Sequence, residues 1–171
     1  IPTETVYGLS AAINLENAIA KIFVVKGRPQ NHPLIVHIAS IDELNTVAVD
    51  IHPDAIKLAH ACWPGPLTLL LQRSENVLMS VTGGRDSVAV RIPDNAFTRQ
   101  LIINLGSPIA APSANRFGKV SPTTAQHVCD DLQNDVDLIV DDGASSIGVE
   151  STIVDFTVSP PQLLRHGGIP I

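Results

Sequence analysis

Two cations flanking a glycine, in Lys26-Gly27-Arg28-Pro29, offer a point charge and a planar, bidentate guanidinium. That combination suits a phosphate, though the same charges would also complement the C-terminus of a helix. Pro2-Thr3-Glu4-Thr5-Val6-Tyr7-Gly8 sets two hydroxyls around a carboxylate beside a turn, and reads equally as an N-capping turn. In Ser87-Val88-Ala89-Val90-Arg91-Ile92 the two-residue period of a strand places Ser87, Ala89 and Arg91 on one face. A guanidinium among such neighbours must meet an anionic ligand or a carboxylate of the protein. Ala111-Pro112-Ser113-Ala114-Asn115, continuing to Gly118-Lys119-Val120-Ser121-Pro122, puts hydroxyl and amide groups between a strand and a helix N-terminus. Free backbone N–H groups there favour an anion. Gly148-Val149-Glu150-Ser151-Thr152 and Leu164-Arg165-His166-Gly167-Gly168 add a carboxylate and another cation at strand ends, with plain turn readings beside the functional ones.

Several chemistries are not supported. His32 and His37 bracket an apolar run, but a zinc site needs further ligands at suitable spacing and none stands near, so a structural histidine is the default for His37. The GxxxxGK[ST] spacing of a P-loop fails, and no GxGxxG follows a strand. No Ser-His-Asp or Cys-His nucleophile arrangement is evident. Glu4, Glu150, Asp141 and Asp142 remain candidate acids, bases or metal partners, with nothing in their spacing to select a role.

The elements that must position these residues alternate in type. Apolar, β-branched runs predict strands at Leu34–Ala39, Leu67–Gln72, Val88–Ile92, Pro108–Ala111, Leu138–Val140, Ser151–Phe156 and Gln162–Arg165. Helical spacing joins Leu15, Ala18, Ile19, Ile22 and Phe23, ended by Gly27 and Pro29. A second helix opens on Ser40-Ile41-Asp42-Glu43, a capping-box pattern, and a third follows Pro53. A fourth runs from about Asn95 to Leu105 with Asp94 as N-cap and Gly106 as stop. A fifth begins at Ser121-Pro122, Ser capping and Pro taking the first helical position. Strands that follow one another closely argue for α/β or α+β with a mixed sheet.

The 171 residues suit one domain, and 44% hydrophobic with 16% charged residues describes a globular chain. No apolar run reaches the ~18 residues of a membrane span, and no signal peptide is visible. Cys62 and Cys129 form no CxxC pair, which favours a reducing compartment. A net charge of −6 argues against a broad nucleic-acid surface but allows a locally basic pocket.

In order, PTETVYGL, KGRP followed by PLIVHI, WPGPLTLLL, SVAVRIP, APSAN, SPTTAQHV, GVESTIVD and LLRHGG run from Pro2 to Gly168. Together they resemble the YrdC-like family, which includes the threonylcarbamoyl-adenylate synthases. The resemblance implies a single YrdC-like domain over residues 1–171, a twisted mixed sheet with flanking helices and a large concave cavity. The family usually carries a helix and the start of a strand before the PTET segment, so a short N-terminal segment is expected ahead of Ile1. The implied activity joins L-threonine, bicarbonate and ATP into threonylcarbamoyl-AMP and pyrophosphate, with Mg²⁺ accompanying ATP. The implied threonine-binding residues are Thr5, His37, Arg91, Ala111 and Ser151. Those implied for ATP are Lys26, Arg28, His32, Ser87, Ser113, Asn115, Ser121 and Arg165, where His32 replaces the Asn common in the family. No general base is assigned; Lys26, Arg28 and Arg91 would act by position and charge. The implied setting is cytoplasmic, upstream of a tRNA threonylcarbamoyl transferase complex. Two alternatives stand: a carbamoyl-transfer domain fed by carbamoyl phosphate, and a non-catalytic RNA-binding or ribosome-associated factor.

Overall fold

The computed structural model describes residues 1–170, Asn134 by its backbone alone. In chain order the elements are β1 (Ala11–Ala12), α1 (Glu16–Lys26), β2 (Ile35–His37), a 3₁₀ turn (Ile41–Glu43), α2 (Leu44–Val47), β3 (Ala48–Val49), α3 (Pro53–Cys62) and β4 (Leu67–Arg73). Then come α4 (Met79–Thr82), β5 (Ser87–Arg91), α5 (Ala96–Leu105), β6 (Ile109–Ala110), α6 (Ala125–Leu132), β7 (Thr152–Asp155) and β8 (Gln162–Arg165). The strands form one mixed sheet in the order β1-β6-β2-β5-β4-β7-β8, with β3 pairing β4. The β2–β5 and β4–β7 pairs are parallel and the others antiparallel. The mixed α/β sheet expected from the sequence is the one formed.

Strand alternation divides the work of this sheet. Val36, Val88, Val90, Leu67, Leu69 and Leu71 face the main core with α1 and α3 residues such as Ile19, Ile22, Phe23 and Ala59. Ile35, His37, Ala89, Arg91, Leu70 and Ile153 face a cavity on the other side. Each fully buried aliphatic side chain contributes about 1.5–3 kcal/mol. One strand face thus provides stability while its neighbour at the next residue provides chemistry.

Four expectations change. Leu138–Val140 forms no strand: Leu138 is 79% exposed, and the segment runs beside α6 with Ile139 packed against the Tyr7–Leu132 cluster. The start of α6 lies further on, because the Pro122 carbonyl accepts from Tyr7 N (2.8 Å) and Thr124 caps by accepting from His127 N (3.2 Å). In α5 the cap is Asn95, which accepts from Thr98 N (2.9 Å), while Asp94 pairs with Arg99. At Ser40 the hydroxyl accepts from Asp42 N and Glu43 reaches back to Ala39 N, but the box opens a 3₁₀ turn and one short helix. The short strands β1 and β3 and the helix α4 carry no sequence signal of their own. Both cysteines are free thiols. No helix among the described residues is long and apolar enough to cross a membrane.

Candidate active site

A cavity of about 330 Å³ opens on the chemical face of the sheet. Its floor is set by register: β2 and β5 run parallel with His37 opposite Arg91 and Ile35 opposite Ala89. Both polar side chains are almost fully buried, at 3% and 4% exposure, so their protonation and partners define this part of the site. Burial, reinforced by the Arg91 charge, pushes His37 down to about 3, so its imidazole is neutral at physiological pH. Its Nδ1–H donates to the Ile35 carbonyl (3.2 Å), leaving Nε2 as a hydrogen-bond acceptor.

Arg91 is tied on three sides. Nε donates to the Gly65 carbonyl (3.2 Å), Nη1 donates to Thr5 Oγ1 (2.8 Å), and Nη2 lies 2.5 Å from Glu4 Oε1. Burial lowers the guanidinium pKa, and the Glu4 charge opposes that shift. Thr3 donates to the Val6 carbonyl (2.6 Å) and lies 2.9 Å from Thr5 Oγ1. With the Thr3 proton committed, Thr5 must donate to Thr3, which leaves its own oxygen to accept from Arg91. A hydrogen-bond chain therefore runs from Arg91 through Thr5 and Thr3 to the backbone.

The same cavity carries two further cations. Arg28 leaves the left-handed Gly27 cap of α1, and its Nη2 donates to the Pro33 carbonyl (3.0 Å). Burial lowers its pKa, with Glu150 acting against the shift. Arg165, at the end of β8, donates from Nε to the Ser151 carbonyl (2.9 Å) and from Nη2 to Ser151 Oγ (3.0 Å), and pairs through Nη1 with Glu150. Ser151 Oγ also lies 2.7 Å from Thr68 Oγ1. Ser121 donates to the other Glu150 oxygen (3.0 Å). The backbone here is closely packed: a Cβ on Gly167 would lie 2.3 Å from the Glu150 carbonyl oxygen. Only glycine lets the turn after β8 approach that strand so closely.

Of the residues that the resemblance singled out, Thr5, Arg28, His37, Arg91, Ala111, Ser113, Ser151 and Arg165 line the cavity. Lys26 does not. It is buried, and its ammonium donates to the Ser113 and Asn115 carbonyls. Burial and the neighbouring Arg28 charge lower it to about 8, opposed by Glu150 and Asp131. Lys26 thus clamps the turn that carries Ser113. Asn115 supports the same turn, donating to the Arg116 (2.8 Å) and Lys119 (2.9 Å) carbonyls. His32 stands edge-on to Phe117, with ring centroids 5.2 Å apart, and Ser87 sits opposite Gln72 at the far end of β5; neither lines the cavity. Ser121 reaches the site through Glu150. Glu4, Glu150, Thr3 and Thr68 acquire structural or electrostatic roles that sequence reading left open. The sequence required an anionic ligand or a carboxylate beside Arg91 without naming it; Glu4 fills that place.

The Sua5/YciO/YrdC family model, described as telomere recombination, matches residues 1–167. A threonylcarbamoyl-AMP synthase of Pyrococcus abyssi is 52% identical over 99% of this chain and 50% of its own length. One from Bacillus subtilis is 48% identical over 98% of this chain and 49% of its own. The crystal structure of P. abyssi Sua5 complexed with L-threonine superposes with a TM-score of 0.97 at 53% identity, covering 99% of this chain and 50% of that one. The chain spans about half the length of these relatives. Agreement along nearly the whole chain, in sequence and in fold, means that it belongs to the Sua5/YciO/YrdC family.

Proposed function

We propose that this chain is the synthase domain of a threonylcarbamoyl-AMP synthase, converting L-threonine, bicarbonate and MgATP to threonylcarbamoyl-AMP and pyrophosphate. The observation that carries the reading is the pairing of a neutral His37 with Arg91 in a cavity that also presents Arg28 and Arg165. The His37–Arg91 pair suits an amino acid: Nε2 of His37 accepts from the amine, and the remaining hydrogens of Arg91 meet the carboxylate. Arg28 and Arg165 suit a triphosphate, with Ser113 held in the lining by the Lys26 clamp. The names of the relatives and the threonine complex of the P. abyssi protein support the same substrate class.

In this reading the threonine amine attacks the carbon of bicarbonate with loss of water, or of carbon dioxide formed from it with loss of a proton, giving N-carboxythreonine. A carbamate oxygen then attacks the α-phosphorus of ATP and pyrophosphate departs. Mg²⁺ enters on the triphosphate as part of the substrate, keeping mainly phosphate and water ligands. The protein's contribution is to hold the reactants together and to neutralise the polyphosphate. Bound substrates that displace water from the cavity would protect the labile carbamate. The product would pass to a tRNA threonylcarbamoyl transferase complex in the cytoplasm.

The test is pyrophosphate release from MgATP and bicarbonate, with L-threonine and with L-serine. Threonine-dependent release, with a threonylcarbamoyl-AMP mass in the products, is the expected result. Release that ignores the amino acid would sink the reading.

A further inference from the structure

Two of the groups expected to hold ATP, Arg165 and Ser121, are already occupied by a carboxylate of the protein. Glu150 pairs through one oxygen with Arg165 Nη1 and accepts from Ser121 Oγ (3.0 Å) with the other. It lines the same cavity as Arg28 and Arg165. We propose that Glu150 is a built-in competitor for the triphosphate: it holds Arg165 and Ser121 in the ligand-free protein and yields them when a polyphosphate binds, so that it sets nucleotide affinity. This rests on the reading of Arg28 and Arg165 as the ATP site.

The surroundings fit a carboxylate that can leave. The Glu150 backbone is fixed, its carbonyl accepting from Gly168 N (2.9 Å) against the close approach of Gly167. Its side chain is 40% exposed, whereas that of Glu4 in the other ion pair is 6% exposed and locked. Arg165 keeps its Nε and Nη2 bonds to Ser151 whether or not Glu150 is present, so departure of the carboxylate frees Nη1 without losing the arm. Glu150 also raises the proton affinity of both Lys26 and Arg28, which makes it a shared counter-charge for these cations. The Ser121 hydroxyl proton and the Nη1 hydrogen aimed at Glu150 can each serve only one anion at a time. The measured affinity for a polyphosphate is therefore reduced by the fraction of molecules in which Glu150 is docked.

The test is calorimetric titration of the full chain with inorganic triphosphate, without Mg²⁺ or threonine, at low salt. Wild type is compared with Glu150→Gln, Glu150→Ala and Glu150→Asp, and L-threonine affinity is measured in each as a check on the fold. Both neutral variants are expected to bind triphosphate about fivefold or more tightly than wild type, with the gap narrowing as salt rises. Glu150→Asp, which keeps the charge, should return toward wild type. Should the Gln variant not fold, the Ala variant carries the comparison. Wild-type binding with equal or weaker binding in the neutral variants overturns the proposal. When the titration is repeated with Mg²⁺, a loss of affinity in those variants that is absent without the metal likewise overturns it, since that would make Glu150 a metal ligand. A wild type that binds neither triphosphate nor ATP would instead overturn the nucleotide reading, and this proposal with it.

Discussion

Arg91 donates from Nε to Gly65 and from Nη1 to Thr5, while its Nη2 forms an ion pair with Glu4 that leaves its hydrogens and the Glu4 oxygens without hydrogen-bond partners. Its partner Glu4 has no comparable set of alternatives. Arg91→Ala should therefore leave a buried, unpaired carboxylate and destabilise the fold by about 3–5 kcal/mol in urea unfolding, with much of that recovered when Glu4→Gln is added. Recovery of stability without recovery of threonine use would separate the structural role from binding. His37 gives a pH prediction. Its folded pKa is about 3 against an ordinary 6.5, so between those values the unfolded chain holds more protons than the folded one. Its contribution is full above about 6.5 and is lost as pH falls toward 3. A His37→Gln variant should show a flatter dependence of urea midpoint on pH over that range; parallel curves would refute the neutral, buried assignment. At this scale, eight of the thirteen residues singled out from the motifs line the cavity. Residue type and motif order could not show that Lys26 points into a turn, or that Glu4 and Glu150 are counter-charges, because those partners lie far off in the chain.

Elements were most legible where capping chemistry and apolar period agree, as in α1 with its Gly27 stop and α3 with Pro53 at its start. They were least legible where a tertiary hydrogen bond decides. Ser121-Pro122 has the signature of a helix start, yet the Pro122 carbonyl is bound by Tyr7 and the cap passes to Thr124. Thr124→Ala should thus cost about 1 kcal/mol of stability, whereas Ser121→Ala should leave helix stability unchanged and alter nucleotide affinity. Equal losses of stability would contradict the assigned caps. Leu138–Val140 has a strand's composition but no ladder in the sheet, and β-branched residues alone do not make one. Gly167 is the tightest junction between elements of the site. Gly167→Ala should cost about 1–3 kcal/mol and loosen the Glu150–Ser151 segment, read as weaker nucleotide binding.

At the scale of the whole molecule, one sheet separates core from chemistry, and a protein of net charge −6 concentrates Arg28, Arg91 and Arg165 in a single cavity. The mixed sheet was foreseeable from the succession of strands and helices. Its order was not, because joining β2 to β5 and β4 to β7 depends on long-range pairing that no local pattern encodes. The arrangement would suit the proposed reaction, in which an amino acid meets buried, fixed groups and a polyanion meets more exposed ones. Nucleotide binding should accordingly weaken as salt rises, while threonine binding changes little, which paired titrations across a salt series would show. The most direct measurement is incorporation of ¹³C from labelled bicarbonate into threonylcarbamoyl-AMP, followed by mass spectrometry with each substrate withheld in turn. The account predicts labelled product only when threonine, bicarbonate and MgATP are all present. Labelled nucleotide formed without threonine, or product made from carbamoyl phosphate in place of bicarbonate, would contradict it.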